Sequence, residues 1–189
     1  MKAIVFRPVC TLALLASSQL AFAADTSKDD FTNFRLGIAA TTLDIDPGAD
    51  YFPSSDDTGV SLFAEFPQTD HAASRFLMYR IHQDGKDVTG FETQLMWGWG
   101  LSQPGFRLYT GPAWHREKIV LQGSSGRQVG VFNGWGWQIG TGYQLGAVTL
   151  DIAGTFRDDQ DYRNQNRRSG AAGQRPNVWL TSALISYRF

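Results

Sequence analysis

From about residue 34 onward the chain repeats one pattern: apolar residues alternate with polar or small ones at a period of two. That period puts successive side chains on opposite faces of a β-strand. A helix would scatter the two sets around its circumference. Segment 91–101 is the clearest case, with Phe91, Thr93, Leu95, Trp97, Trp99 and Leu101 on one face and Glu92, Gln94, Met96, Gly98 and Gly100 on the other. Segment 133–145 repeats it, with Trp135, Trp137, Ile139, Thr141, Tyr143 and Leu145 opposite Gln138, Gly140, Gly142 and Gln144. Residues 34–40, 60–66, 106–115, 148–157 and 179–189 alternate in the same way. In 74–82 both registers are open. Leu77, Tyr79 and Ile81 are assigned outward, with the opposite register a close alternative.

Segments of about ten residues match a tilted strand that crosses a bilayer. No stretch after the N-terminal region holds 18 continuous apolar residues, so helical spans are excluded. Short breaks at 67–70, 102–105 and 146–147 alternate with longer polar connections at 46–57, 83–88, 116–131 and 159–176. This spacing predicts an all-β fold, an eight-stranded antiparallel up-and-down transmembrane β-barrel over 24–189. The competing architecture is a soluble β-sandwich. Trp placement speaks against it, because all six Trp fall on the apolar face. Trp114, Trp135, Trp137 and Trp179 lie near the long-connection end, and Trp97 and Trp99 near the short-turn end with Tyr143 and Tyr187. Two aromatic bands on one apolar face are the girdles of a membrane barrel.

The first residues address the compartment. Lys2 and Arg7 precede an apolar run from Val9 to Leu20, and Ala21-Phe22-Ala23 supplies the small-x-small pattern of a signal-peptidase site. Residues 1–23 are therefore expected to be a cleaved signal peptide, leaving 189 − 23 = 166 residues. Cys10, the single cysteine, falls inside it, which excludes a disulfide framework or thiolate metal site in the remainder. Without Lys2 and Arg7 the balance is 15 basic against 18 acidic residues, and no nucleic-acid motif is present.

The terminal run Ser186-Tyr187-Arg188-Phe189, with Ile185 and Ala183 on the face of Tyr187 and Phe189, and the Gly142-Tyr143-Gln144-Leu145 stretch resemble the small outer-membrane β-barrels, typified by the OmpA transmembrane domain and OmpX-like proteins. The resemblance runs from Phe31 to Phe189 and implies a cell outer-membrane location in a Gram-negative envelope, with outer-membrane lipid and lipopolysaccharide as partners. It also implies handling by periplasmic chaperones, recognition of Tyr187 and Phe189 by the barrel-assembly machinery, and a monomeric state. It specifies architecture well and activity poorly.

Arg35, Glu65, Arg80, Glu92, Arg107, Asp151, Arg157 and Arg188 are expected inside, as a buried charge network filling a lumen with room for little besides side chains. Phe63, Met96, Leu180 and Leu184 are also assigned inward. Three functions compete. The first is a structural or surface-binding barrel working through its loops. The second is a narrow pore or apolar-ligand channel, and the third a lipid A-modifying enzyme. For the third, His115 lies topologically near Ser124, Ser125, Asp158 and Asp159, yet no motif of such an enzyme is found, and no catalytic residue, cofactor or metal site is assigned. Arg163, Arg167 and Arg168 could grip lipopolysaccharide phosphates, for which the guanidinium fork is suited, or pair with the Asp-rich segment 46–57.

Overall fold

The computed structural model describes residues 34–46, 55–83, 85–123, 126–168 and 176–189; the expected signal peptide lies outside them. The strands are β1 (Arg35–Asp46), β2 (Ser55–Pro67), β3 (Ala72–Gln83), β4 (Lys86–Trp99), β5 (Gly105–Gly123), β6 (Gly126–Leu145), β7 (Val148–Arg157) and β8 (Asn177–Arg188). One helix, α1 (Gln160–Arg168), stands between β7 and β8. Each strand pairs antiparallel with its successor, and β8 pairs with β1 to close the barrel. Closure leaves no open sheet edge around the wall, which a lipid-embedded sheet requires.

The two faces are sorted by the period of two, and in an inverted sense. Ile38, Val60, Ile139 and Ile152 are 59%, 73%, 59% and 57% exposed on the outside, while Arg35, Glu65, Arg107 and Arg157 are 0% exposed inside. Water would reverse that order; only an apolar solvent around the wall makes it favourable. Trp97, Trp99, Trp135, Trp137 and Trp179 are exposed on this outer face, and Trp114 shares it half-buried.

Inside, large rings need gaps in the opposite strand. A Cβ on Gly90 would run into the Tyr79 ring, and one on Gly140 into the Tyr109 ring. These glycines sit directly across the ladder from the rings they admit, as Tyr79↔Gly90 and Tyr109↔Gly140. Pro112 on β5 has no N–H for the β4 ladder, and the side-chain amide of Gln138 donates to the Leu95 carbonyl at 3.1 Å beside this interruption.

The structure departs from expectation at five places. β3 takes the opposite register, with Leu77, Tyr79 and Ile81 buried inside and Arg80 outside. The polar connections at 83–88 and 116–131 are mostly strand, since β4 begins at Lys86 and β5 and β6 extend to Gly123 and Gly126. Connection 159–176 carries α1. Leu101, assigned to the outer face, lies past the end of β4 and is buried in its turn.

Candidate functional site

The lumen holds two joined charge clusters. In the half nearer the short turns, Glu65 accepts from Arg35 at 2.6 Å, Arg75 at 2.6 Å and Arg107 at 2.7 Å. Arg75 also reaches Asp151 at 3.0 Å, and Arg107 lies 3.4 Å from its other oxygen. Arg35 donates to Gln144 at 2.5 Å. The Arg75 and Arg107 guanidinium groups lie 5.1 and 5.3 Å from the centre of the Tyr109 ring, and the Tyr109 hydroxyl accepts a hydrogen bond from Arg75 at 3.0 Å. Three cations meet two carboxylates, a formal excess of one positive charge.

The other half carries the opposite excess. Arg157 donates to Glu92 and Glu117, both at 2.7 Å, and to the Tyr79 hydroxyl at 3.0 Å. Tyr79 donates to Glu117 at 2.5 Å, and Thr155 to Glu92 at 2.8 Å. Gln94 joins the halves: its amide nitrogen donates to Glu92 at 2.7 Å, and its oxygen accepts from Arg75 at 3.4 Å. Four arginines thus face four carboxylates, and the lumen is formally neutral. Buried charges are tolerable only when paired, and every charge here has an opposite partner, although Arg35 Nε, Arg107 Nε and Nη1, Arg157 Nε and Asp151 Oδ1 make no hydrogen bond among the described residues.

Above the upper cluster the interior turns apolar. Leu43, Ile45, Ile81, Val88, Ile119 and Val178 are fully buried there, and Lys86 pairs with Asp57 at 2.8 Å beside them. α1 closes the mouth. Its Tyr162 ring stacks on Phe132 at 4.7 Å and on His115 at 6.2 Å, and its hydroxyl donates to Glu117. Burial, with the Glu117 charge beside it, holds this phenol protonated far above its usual range. Asp161 of α1 accepts from the Asn133 backbone N–H at 3.0 Å, tying the helix to β6.

Of the residues expected inside, Arg35, Glu65, Glu92, Arg107, Asp151 and Arg157 stand in this network. Arg80 does not. Its side chain is 66% exposed and pairs with Asp87 at 3.2 Å, because the one-residue shift of β3 moves every side chain to the other face. Arg75 takes the inward place. Arg188 keeps the inward face but stands half-exposed at the rim, donating to the Ser102 carbonyl at 3.0 Å. Phe63, Met96, Leu180 and Leu184 are buried inside. Glu117, Tyr79 and Tyr162 were missed: Glu117 lay in a stretch read as loop, and Tyr162 in a polar connection. Arg163 pairs with Asp159, just ahead of α1, at 3.1 Å; the side chains of Arg167 and Arg168 lie outside the described residues. His115 faces Tyr162 inside the barrel and Asp159 is engaged by Arg163, while Ser124 and Ser125 lie outside the described residues. Tyr143 and Tyr187 lie exposed on the outer face, and Phe189 stacks on Phe34 at 5.1 Å while donating its N–H to the Phe34 carbonyl at 3.1 Å.

No protein-family model matches the sequence, and no curated protein is similar to it. Among solved structures, the chain is similar to Neisserial surface protein A at 12% identity and a TM-score of 0.57, covering 82% of this chain and 97% of that one. It is also similar to Ail, the attachment invasion locus protein of Yersinia pestis, at 10% identity and a TM-score of 0.51, covering 83% and 97%. The class is thereby defined: this chain has the fold of the small eight-stranded outer-membrane β-barrels.

Proposed function

We propose that the chain is exported by its cleaved N-terminal signal and sits in the outer membrane as a closed barrel. Its role is structural or surface-binding, exercised through the extracellular end. The observation that carries this reading is the lumen: four arginines and four carboxylates occupy it in mutual contact, with an apolar layer and Tyr162 above. An ion path would need a continuous column of water, whereas small barrels of eight strands have an interior that side chains fill. The apolar outer wall with its aromatic bands supports insertion, and the extracellular hairpins and α1 are left as the surface that meets lipid or partners.

Planar-bilayer recording tests the reading. Purified refolded protein is expected to leave the bilayer without steady conductance. A stable ohmic step from the wild-type protein would overturn the closed-barrel reading.

A further inference from the structure

In the half of the lumen nearer the short turns, the surplus of positive charge coincides with a surplus of hydrogen-bond donors. The other half answers its extra carboxylate with neutral donors. There the Tyr79 and Tyr162 hydroxyls bond to Glu117, and the Thr155 hydroxyl and Gln94 amide bond to Glu92. The extra cation has no such answer. Arg107 bonds through Nη2 alone, to Glu65, and its Nε and Nη1 have no acceptor among the described residues. Arg35 Nε and the Thr149 hydroxyl are unmet in the same way. Asp151 Oδ1 is an unbonded carboxylate oxygen of this cluster, but it lies 3.4 Å from Arg107 Nε and can answer that donor only. Arg35 and Arg107 are fully buried and Thr149 nearly so. A buried donor without an acceptor loses its hydration and gains nothing in return.

The ladder brings like charges together at the same level. Arg35 on β1 and Arg188 on β8 stand directly across from one another on the inner face, and Arg35 also lies in the field of Arg107. Like charges placed directly opposite destabilise a sheet. Thr149 belongs to this level too. It stands across from Ser186 on β8 and from Gln144 on β6, and Gln144 bonds to Arg35 at 2.5 Å. Here β7 and β8 contribute the small side chains of Thr149 and Ser186 to the interior.

We propose that this level of the lumen is a seat for one small monovalent anion of the chloride class, held by Arg107, Arg35 and Thr149 and admitted from the short-turn end past Arg188. One negative charge equals the surplus of Arg35, Arg75 and Arg107 over Glu65 and Asp151. The unmet donors are few and suit a single spherical ion. A phosphate would bring more oxygens and more charge than they answer. Arg188 stands half-exposed at the rim, where it donates to the Ser102 carbonyl at 3.0 Å, and release of that bond opens the way in. The seat is a dead end, because Arg75, Tyr109 and Gln94 fill the lumen above it. The ion therefore locks the base of the barrel and does not cross it, so its binding is independent of the closed-barrel reading that conductance tests.

The test unfolds the wild-type protein, refolded in detergent micelles, with urea in sodium chloride and in sodium gluconate at equal ionic strength, so that screening is the same in both. An ion that binds only the folded barrel lowers the unfolding constant saturably, by about 100-fold when its concentration is about 100 times its dissociation constant. Chloride is expected to raise the urea midpoint in this way, and gluconate, too bulky for the seat, is expected to leave it unmoved. Arg107→Gln leaves two cations against two carboxylates and should abolish the chloride response. Lys118→Gln, on the exposed outer face, should keep it. Crystals of the wild-type protein grown in sodium bromide should show anomalous scattering among Arg35, Arg107 and Thr149, a readout that does not depend on whether the Arg107 variant folds. The proposal is overturned if the wild-type midpoint is the same in the two salts, or if Arg107→Gln responds to chloride as the wild type does. It is also overturned if bromide scatters only from the outer surface, or if the seat holds water alone.

Discussion

Replacing Glu65 by Gln removes one negative charge from the point where Arg35, Arg75 and Arg107 converge at 2.6, 2.6 and 2.7 Å. The three guanidinium groups would then face Asp151 alone. All four side chains are essentially inaccessible, so water cannot screen the imbalance. Breaking a buried ion pair by removing one partner costs about 3–5 kcal/mol, because the remaining charge is left desolvated. Gln keeps a carbonyl oxygen that can still accept from a guanidinium group, which places Glu65→Gln near 3 kcal/mol and Glu65→Leu near 5 kcal/mol, both rough figures on that scale. Adding Arg107→Gln restores formal neutrality, and contacting residues couple by about 0.5–3 kcal/mol, so the double variant should recover part of the loss. Urea unfolding from lipid vesicles, read by Trp fluorescence, measures each difference. A Glu65→Gln protein within about 0.5 kcal/mol of wild type, or a double variant less stable than the sum of the singles, would refute the charge-balance argument.

Leu95→Arg places a charge on the lipid face and should cost about 2–4 kcal/mol in the same titration, whereas Arg80→Gln, outside and exposed, should stay within about 0.5 kcal/mol. Equal losses at the two sites would contradict the assigned faces. Gly140→Ala drives a methyl group into the Tyr109 ring and should destabilise by about 1–3 kcal/mol, a cost that truncating Tyr109 in the same chain should reduce. Tyr162→Ala should free α1, seen as faster tryptic cleavage after Arg163, while Tyr162→Phe keeps the stack on Phe132 and should loosen it less. Because the Tyr162 phenol is raised above its ordinary value of 10.0, the contribution of its protonated form is present below that pH and is lost as pH climbs beyond it. Protease protection of α1 should therefore hold through neutral pH and fall only in strong alkali; a loss between pH 6 and 8 would count against the contact.

Much of the wall was legible in the sequence because lipid and lumen impose opposite demands on alternate residues, and β1, β2 and β4 to β8 obey them over most of their length. β3 was not. Arg75, Leu77, Tyr79 and Ile81 on one face and Phe76, Met78 and Arg80 on the other offer one arginine and large apolar groups either way. What decides is nonlocal. Phe63, Tyr79 and Tyr109, all inward, each stand directly across from a glycine, Gly37, Gly90 and Gly140, whose missing side chain admits the ring. Gly90 has the inward parity of Glu92 on β4, so a ring paired to it belongs inside; that signal was present and would have turned β3 over. α1 left a fainter trace, since among its described side chains only Tyr162 is buried in the barrel and the rest of its run is polar.

The reading of 83–88 and 116–131 as loops has a more general cause, which also locates the membrane surface on the barrel. On β5 the outward residues are Leu108, Pro112 and Trp114, and then Arg116 and Lys118, while the inward ones pass from Arg107 and Glu117 to Ile119. On β3 the outward sequence changes likewise from Phe76 and Met78 to Arg80 and His82, and inward Ile81 replaces Arg75. Within the lipid layer the apolar side faces out; beyond it the strands are in water and the ordinary soluble rule returns, with charge outside and Ile81, Val88 and Ile119 packed inside. A strand that crosses from one solvent to the other therefore breaks its own hydrophobic pattern without ending. The break falls at Trp114–Arg116 on β5 and Met78–Arg80 on β3, beside the aromatic band, and so marks where the wall leaves the membrane. Everything above that line, including the apolar plug and the Tyr162 cap, is built by soluble-protein rules on a membrane-protein base, which is why the outward polarity of those strands read as loop.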